Sequence, residues 1–576
     1  MVRLRSLSAI LLVVVAIPAA LLVHSLLAEP SSLKTQPVQA ALRGIAAHTM
    51  KAHLHFLADD LLEGRGTGSR GYDLASLYVA AELEKLGLRP AGADGSFFQQ
   101  VPLLHATTDQ SRSSLSLRRG ENRSSLTYGQ EYLLTPDFQR QRVEVAAPVV
   151  FVGFGVSAPE IGYDDYEGVD VDGRVVMFLS GGPPSLPIDE RAHFSSSASK
   201  EGVAAARGAI GTITARVRDD EGDPERSWSR SVRQAAIGAM RWIDEDGSPR
   251  STRPELRAHV SVNEKGAAAL LEGSPLTVAD LRRFRKDGGA QSMALTTSIE
   301  VTTVSDHARL TSRNVLALLE GSDEKLRDDH VVYSAHLDHI GITPPVDGDS
   351  INNGALDNAG GVAALLTIAR AFTALPEPPA RSILFLAVTA EERGLRGSDY
   401  FAHHPTIPIE RIAANINLDG FLMLYPISDV IATGIEHSTL SGDVAVAAAE
   451  LGLEVTPDPR PEEVIFVRSD HYSFVRQGIP SIFISGSTRS SDPTRDASEV
   501  TRAWFREIYH TPKDDLDQQI DYETAVKFAQ LNFMIGYGVA NKARRPAWYR
   551  GDFFGEMFGK SRATARPPSR TAEARD

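Results

Sequence analysis

The chain has 576 residues, of which 42% are hydrophobic and 23% charged, with a formal net charge of -14 and no cysteine. At roughly 100–200 residues per domain this length allows two or three domains, each with an ordinary packed core. The acidic balance argues against a nucleic-acid partner, and the lack of cysteine excludes disulfides, thiolate metal sites, thiol nucleophiles and a lipidated N-terminal Cys.

Arg3 and Arg5 precede an apolar run from Ala9 to Val23, followed by polar residues and Pro30. This pattern predicts export, with a secretory signal over 1–28. Continued to Ala28, the run reaches the length of a membrane span, about 20 residues, so an uncleaved N-terminal anchor is the alternative. Residues 31–45 read as a linker. From His48 to Leu88 apolar residues recur at three and four spacing, with a break at Gly64, Gly66 and Gly68. Residues 112–132 alternate on both sides of Gly120-Glu121-Asn122 and predict a hairpin, within a first domain segment expected over 45–135.

Short β-rich runs such as "VEVAAPVVFVGFG" and "GRVVMFLSGG" open a block at 136–305, expected to be an inserted β-rich domain. From Asn314 onward the rhythm changes. "HVVYSAH", "RSILFLAV", "AANINLD" and "IPSIFIS" are near-continuous apolar strands, separated by helical segments such as "GGVAALLTIARAFTAL". Strands alternating with helices predict an α/β fold with a mostly parallel central sheet covered on both faces, over 306–542. The Arg- and Pro-rich stretch 543–576 reads as a tail, and no internal repeat is present.

Chemistry-bearing residues fall at the ends of these strands. His336 closes "YSAHLDHIG", Glu391 and Glu392 follow "LFLAV", and Asp419 closes "ANINLD". Parallel strands bring their carboxyl ends to one edge, where ligands bind in open α/β sheets. Asp357, in "NNGALDNAGG", sits before a helix and reads either as its N-cap or as a carboxylate able to bridge two cations. Gly354, Gly360 and Gly361 permit close backbone approach there. His510 lies in the loop signal "YHTPKDD". Glu391 and Glu392 can serve one site only if the chain bends between strand and site, since alternation sends neighbours to opposite faces. His403 and His404 read as surface residues. Zinc accepts His nitrogen and carboxylate oxygen, and two zinc ions balance three carboxylates and one hydroxide.

The order HLD, GALDN-GG, EERGLRGS, NINLD, SDHYSF and YHTPKD resembles the dinuclear zinc exopeptidases, which include bacterial leucyl aminopeptidases and, more distantly, glutamate carboxypeptidase. The stretch beginning "APVVFVGFGVSAPEIGYDDYEGV" resembles the protease-associated domain inserted in such enzymes. Leu356, Gly360 and Gly420 stand where relatives often carry Asp, Ser and Met. The resemblance implies two Zn2+ held by His336, Asp357, Glu392, Asp419 and His510, with Asp357 as the bridge. It further implies Glu391 as general base, Asp338 orienting His336, and Asp470 and His471 near the substrate. The implied reaction is hydrolysis of peptides at a chain terminus, most simply the amino terminus. A carboxypeptidase or dipeptidase on the same site is the alternative, with Arg396 and Arg468 as candidates to meet a carboxylate; a non-catalytic receptor-like homologue is a further one.

Overall fold

The computed structural model describes residues 32–217, 224–250, 252–459, 465–559 and 564–566. The predicted signal or anchor over 1–28 and most of residues 560–576 lie outside these residues, whereas the first part of the stretch expected to be a tail, 543–559, is structured, with the helix Phe553–Phe558 and buried Trp548 and Phe554. Among the described residues no helix is long and apolar enough to cross a membrane.

The larger sheet is mixed. Its strand order is Ala239–Trp242, Phe98–Thr108, Met293–Leu319, Ser382–Val388, His330–His336, Ile412–Asn417, Ser481–Gly486, Asp429–Thr433 and Glu454–Thr456. The four strands from Ser382–Val388 to Ser481–Gly486 run parallel, and antiparallel partners flank them on both sides. The strands His330–His336 and Ser382–Val388 are buried at every residue, as their unbroken Val/Ile/Leu sequences predict for a sheet covered on both faces.

Alternation along these strands feeds two cores. Val331, Tyr333 and Ala335 pack against the helix Gly360–Thr373, itself buried along its length except at Arg370 and Thr373. Val332, Leu384 and Leu386 point the other way and meet Phe401 and Phe474. The helix Tyr522–Asn541 lies close to the sheet at Gly536, where an added Cβ would fall 1.8 Å from the Tyr333 hydroxyl. The helix Arg70–Lys85 starts at Ser69, whose hydroxyl accepts the Tyr72 N–H at 3.2 Å. The predicted break before it is a 3-10 turn, Asp60–Arg65.

The inserted block differs from the sequence expectation in two ways. It is an α/β layer rather than a β-rich one. Its strands Arg142–Phe151, Val175–Leu179, Gly211–Ala215 and Ala258–Val262 are parallel neighbours, with helices Ser197–Ala206, Glu264–Leu271 and Val278–Asp287 between or beside them. Its boundary also lies earlier than residue 136. The hairpin strands Ser114–Arg119 and Asn122–Ser125, and the strand Tyr132–Leu134, pair within this second sheet. Alternation identifies strands but not their partners, which depend on long-range register.

One strand belongs to both sheets. Met293–Leu319 pairs with Arg142–Phe151 and Ser114–Arg119 through its first half, and with Phe98–Thr108 and Ser382–Val388 through its second. Its 27 residues contain neither glycine nor proline.

Candidate metal centre

The three parallel strands end in register. His336 is level with Val388, and Ser334 with Asn417, so His336 sits between the Glu391-Glu392 exit on one side and Asp419 on the other. The bend that two adjacent acids require is present: Ala390 has φ +56, the left-handed region that alanine rarely adopts. Asp357 lies in the turn Ala355–Ala359, before the helix Gly360–Thr373. The N-cap of that helix is Ala359 and carries no side-chain cap, so Asp357 is not used as a cap. Two glycines let this turn pack closely. At Gly361 a Cβ would lie 2.2 Å from Asn358 Oδ1, and at Gly354, φ +58, it would lie 2.5 Å from the His339 ring.

These residues converge on Asp357. His336 Nε2 stands 3.3 Å from Asp357 Oδ1 and 2.9 Å from Asp419 Oδ1. His510 Nε2 stands 3.1 Å from Asp357 Oδ2 and 3.2 Å from Glu392 Oε2. The two oxygens of Asp357 therefore serve two separate nitrogen–carboxylate groups. His510 reaches its place with φ +57 and stacks on Tyr509, ring centroids 3.7 Å apart.

The donor set fits divalent cations. Ligands held tetrahedrally at about 2.0–2.2 Å from one cation stand about 3.3–3.6 Å from each other, and the four separations here, 2.9–3.3 Å, lie at or just below that range. The electrostatics also call for positive charge. Burial favours neutral His336, yet Asp419, Glu391 and Asp357 hold it well above its ordinary value. Burial likewise opposes a charge on His510, but Glu392 and Asp357 raise it to about 10. Burial opposes the charged form of Asp357, and its contacts with His336 and His510 pull it well below the usual carboxylate range. Protonated imidazoles fill a demand for cations that two metal ions would meet.

The remaining predicted residues stand around this pair. Glu391 is partly exposed beside it, and burial, with Glu392, Asp419 and Asp470 nearby, raises its carboxyl well above the usual range. The far nitrogen of His336 meets the backbone carbonyl of Asp338 at 3.0 Å, not its carboxylate. That carboxylate instead accepts the Thr67 hydroxyl at 3.0 Å and the Glu391 backbone N–H at 3.0 Å. Asp338 thus orients His336 through its main chain, because its side chain is directed to the neighbouring strand exit. Asp470 is buried near Asp419, and burial first, then its acidic neighbours, push it up to about 7. His471 packs between Phe466 and Phe483, with ring centroids 5.3 and 5.4 Å away, and burial lowers it to about 3, so it is an aromatic core residue. His403 donates its Nδ1–H to the Asp399 carbonyl at 2.8 Å, away from the site.

Of four supporting residues, Ser469, Asp514 and Arg65 were not identified from sequence, and His339 was readable there either as a support of the site or as merely nearby. His339 is fully buried, and its Nδ1 stands 2.7 Å from Glu392 Oε1, the oxygen that does not face His510. Ser469 accepts the Asn417 side-chain amide at 2.7 Å and donates to Asp419 Oδ2. Asp514 accepts the backbone N–H groups of Leu356 and Asp357, both at 3.0 Å, and so fixes the turn that carries the bridging carboxylate. Arg65, fully buried, donates to the carbonyls of Leu57, Leu337, Asn353 and Gly354 at 2.5–2.9 Å. It joins the loop after His336 to the loop before Asp357. Its position between Gly64 and Gly66 is the only sequence signal for it, and that signal reads equally as a helix break.

Comparison with known proteins agrees with this geometry. The model of peptidase family M28 matches residues 314–535. Aminopeptidase YwaD of Bacillus subtilis (strain 168) is 28% identical over 245 residues, 41% of this chain and 46% of that protein. A probable zinc metalloprotease of Pyricularia oryzae is 25% identical over 269 residues, 40% of this chain and 50% of that protein. The chain thus spans about half the length of these curated relatives. Among solved structures, the aminopeptidase from Aneurinibacillus sp. strain AM-1 superposes with a TM-score of 0.52 at 22% identity, covering 88% of this chain and 96% of that one, a likeness of fold. The strand-end geometry and the match to the model of peptidase family M28 coincide in one segment, residues 314–535.

Proposed function

We propose that this chain is a metal-dependent aminopeptidase that releases N-terminal residues from peptides with two zinc ions. The observation that carries this reading is the divided carboxylate of Asp357, one oxygen 3.3 Å from His336 Nε2 and the other 3.1 Å from His510 Nε2. His336, Asp357 and Asp419 would hold one ion, and His510, Asp357 and Glu392 the other. When bound, such ions acidify water and draw charge from the scissile carbonyl. Glu391 takes up a proton at its carboxylate and returns it to the leaving amine. The surplus of carboxylates around the site suits a substrate ammonium, and the printed name of YwaD, an aminopeptidase, supports the same terminus.

The basic and apolar N-terminal sequence supports export to the periplasm or extracellular space, with a signal or anchor at 1–28. The inserted layer is read as a protease-associated domain on its sequence likeness. The test is metal analysis with a panel of aminoacyl and carboxy-terminal chromogenic substrates. At least two zinc equivalents per chain, turnover of aminoacyl substrates, loss on chelation and recovery with Zn2+ are expected. Turnover of the carboxy-terminal set alone would overturn the choice of terminus. Full activity after exhaustive chelation would overturn the metal reading.

A further inference from the structure

A second histidine–carboxylate cluster lies away from the centre, where the insert meets the catalytic domain. His437 ends the 3-10 turn Ile435–His437, just past the strand Asp429–Thr433. Asp189 lies in the first turn of the insert helix Ile188–Ser195, and Asp552 precedes the helix Phe553–Phe558. His437 Nδ1 faces Asp552 Oδ2 at 2.6 Å, while Asp552 Oδ1 accepts the Gly555 N–H at 2.8 Å. One face of the ring is therefore fixed by a carboxylate that is itself fixed.

The other ring nitrogen points into a group of acids. His437 is only 6% exposed, and its buried Nε2 has no hydrogen-bond partner. It stands 3.1 Å from Asp189 Oδ2, out of line for a hydrogen bond. One donor atom from each of Asp189, Glu436 and His437 lies within 4.8 Å of the other two. Phe466 and Phe554 wall the ring at 4.9 Å, which lowers the local dielectric and strengthens the demand for a counter-charge. Glu436 is exposed and leaves a path to solvent.

We propose that His437 Nε2, Asp189 and Glu436 form a separate divalent-cation site of the zinc class, which ties the insert to the catalytic domain. One imidazole and two carboxylates are a zinc donor set, and two carboxylates neutralise a dication. Asp552 completes the carboxylate–histidine–metal arrangement by holding the far nitrogen in the required tautomer. The 3.1 Å separation of Nε2 and Oδ2 is slightly shorter than the roughly 3.3–3.6 Å between two tetrahedral ligands on one cation. The site is independent of the Asp357 centre and shares no residue with it.

The test is titration of the chelator-stripped full chain with Zn2+ against a chromophoric competitor, on the wild type, Glu436→Gln and Asp189→Asn. Glu436 is exposed, so its variant folds irrespective of the site. A His336→Ala/His510→Ala double variant isolates the new site from the other centre. The wild type is expected to bind one equivalent more than Glu436→Gln and Asp189→Asn, and the double variant is expected to retain that equivalent. Equal stoichiometry in the wild type and both single variants would overturn the proposal and leave His437 as an imidazolium between carboxylates. Loss of all bound zinc in the double variant would overturn it as well.

Discussion

Asp338 accepts the backbone N–H of Glu391 at 3.0 Å, a bond that ties the end of the strand His330–His336 to the bent exit of its neighbour Ser382–Val388. The carboxylate is buried, so removing it leaves that N–H without an acceptor and frees Glu391 to move. Asp338→Ala is expected to lower kcat about 10–100-fold, the range seen when a group supporting a metal site is lost. KM should change little. Steady-state kinetics on an aminoacyl chromogenic substrate check this; unchanged kcat would leave Asp338 without a part in positioning Glu391.

Glu391 itself can be separated from the metal ligands. Glu391→Gln keeps the shape of the side chain and removes its capacity to carry a proton. Turnover is expected to fall by about 10²–10⁴-fold, while zinc content stays at the wild-type value. Elemental analysis and kinetics on the same preparation give both quantities. A variant that lost zinc in step with activity would mark Glu391 as a ligand.

Arg65 fastens two loops by four carbonyls, so its loss is felt before any metal binds. Arg65→Met would leave buried acceptors without donors, at about 1–3 kcal/mol each. The metal-free protein is expected to lose about 3 kcal/mol or more, read by denaturant unfolding after chelation. Zinc affinity should fall as well, since Leu337 and Gly354 would no longer be held at fixed separation. An unchanged midpoint in the metal-free protein would show that the loops hold themselves.

Lys200 provides a pH-dependent test of the insert. Burial, only partly offset by Asp165, lowers its pKa to about 7 against 10.5 for the free side chain. The unfolded chain therefore binds more protons than the folded one between about pH 7 and pH 10.5, and stability rises with pH across that window. Its ammonium also donates to the carbonyls of Leu179 and Gly181 at 2.7 and 2.5 Å. Denaturant unfolding of the wild type at pH 7, 8.5 and 10 is expected to show a gain of at most a few kcal/mol. Lys200→Met should flatten that slope. A wild type whose stability fell between pH 7 and 8.5 while the variant's did not would reverse the sign.

Much of this site could be read from the sequence because its ligands stand at the ends of strong, recognisable elements. His336, Glu391, Glu392 and Asp419 follow apolar runs that can hardly be other than buried strands, and parallel strands must share an edge. Asp357 was legible only as one of two possibilities, since a carboxylate before a helix is most often a cap. His339 was legible only as a possible support, and Ser469, Asp514 and Arg65 left no comparable trace. Each acts through a partner 50 or more residues away, or, for His339, through the way its loop folds back on Glu392. The insert misled in a similar way. Its strands were visible, but its parallel neighbours and the partners of the 112–132 hairpin are fixed by register across the fold.

The strand Met293–Leu319 crosses from one sheet to the other without a glycine or proline to soften it. The insert is thus cantilevered from the catalytic sheet on a continuous hydrogen-bonded beam, and a swing about a flexible joint is not open to it through this connection. Any tilt must be transmitted as torsion into Val315–Leu319, directly beside the strand whose exit bears Glu391 and Glu392. A force applied to the insert is therefore a force on the exit that carries Glu391 and Glu392.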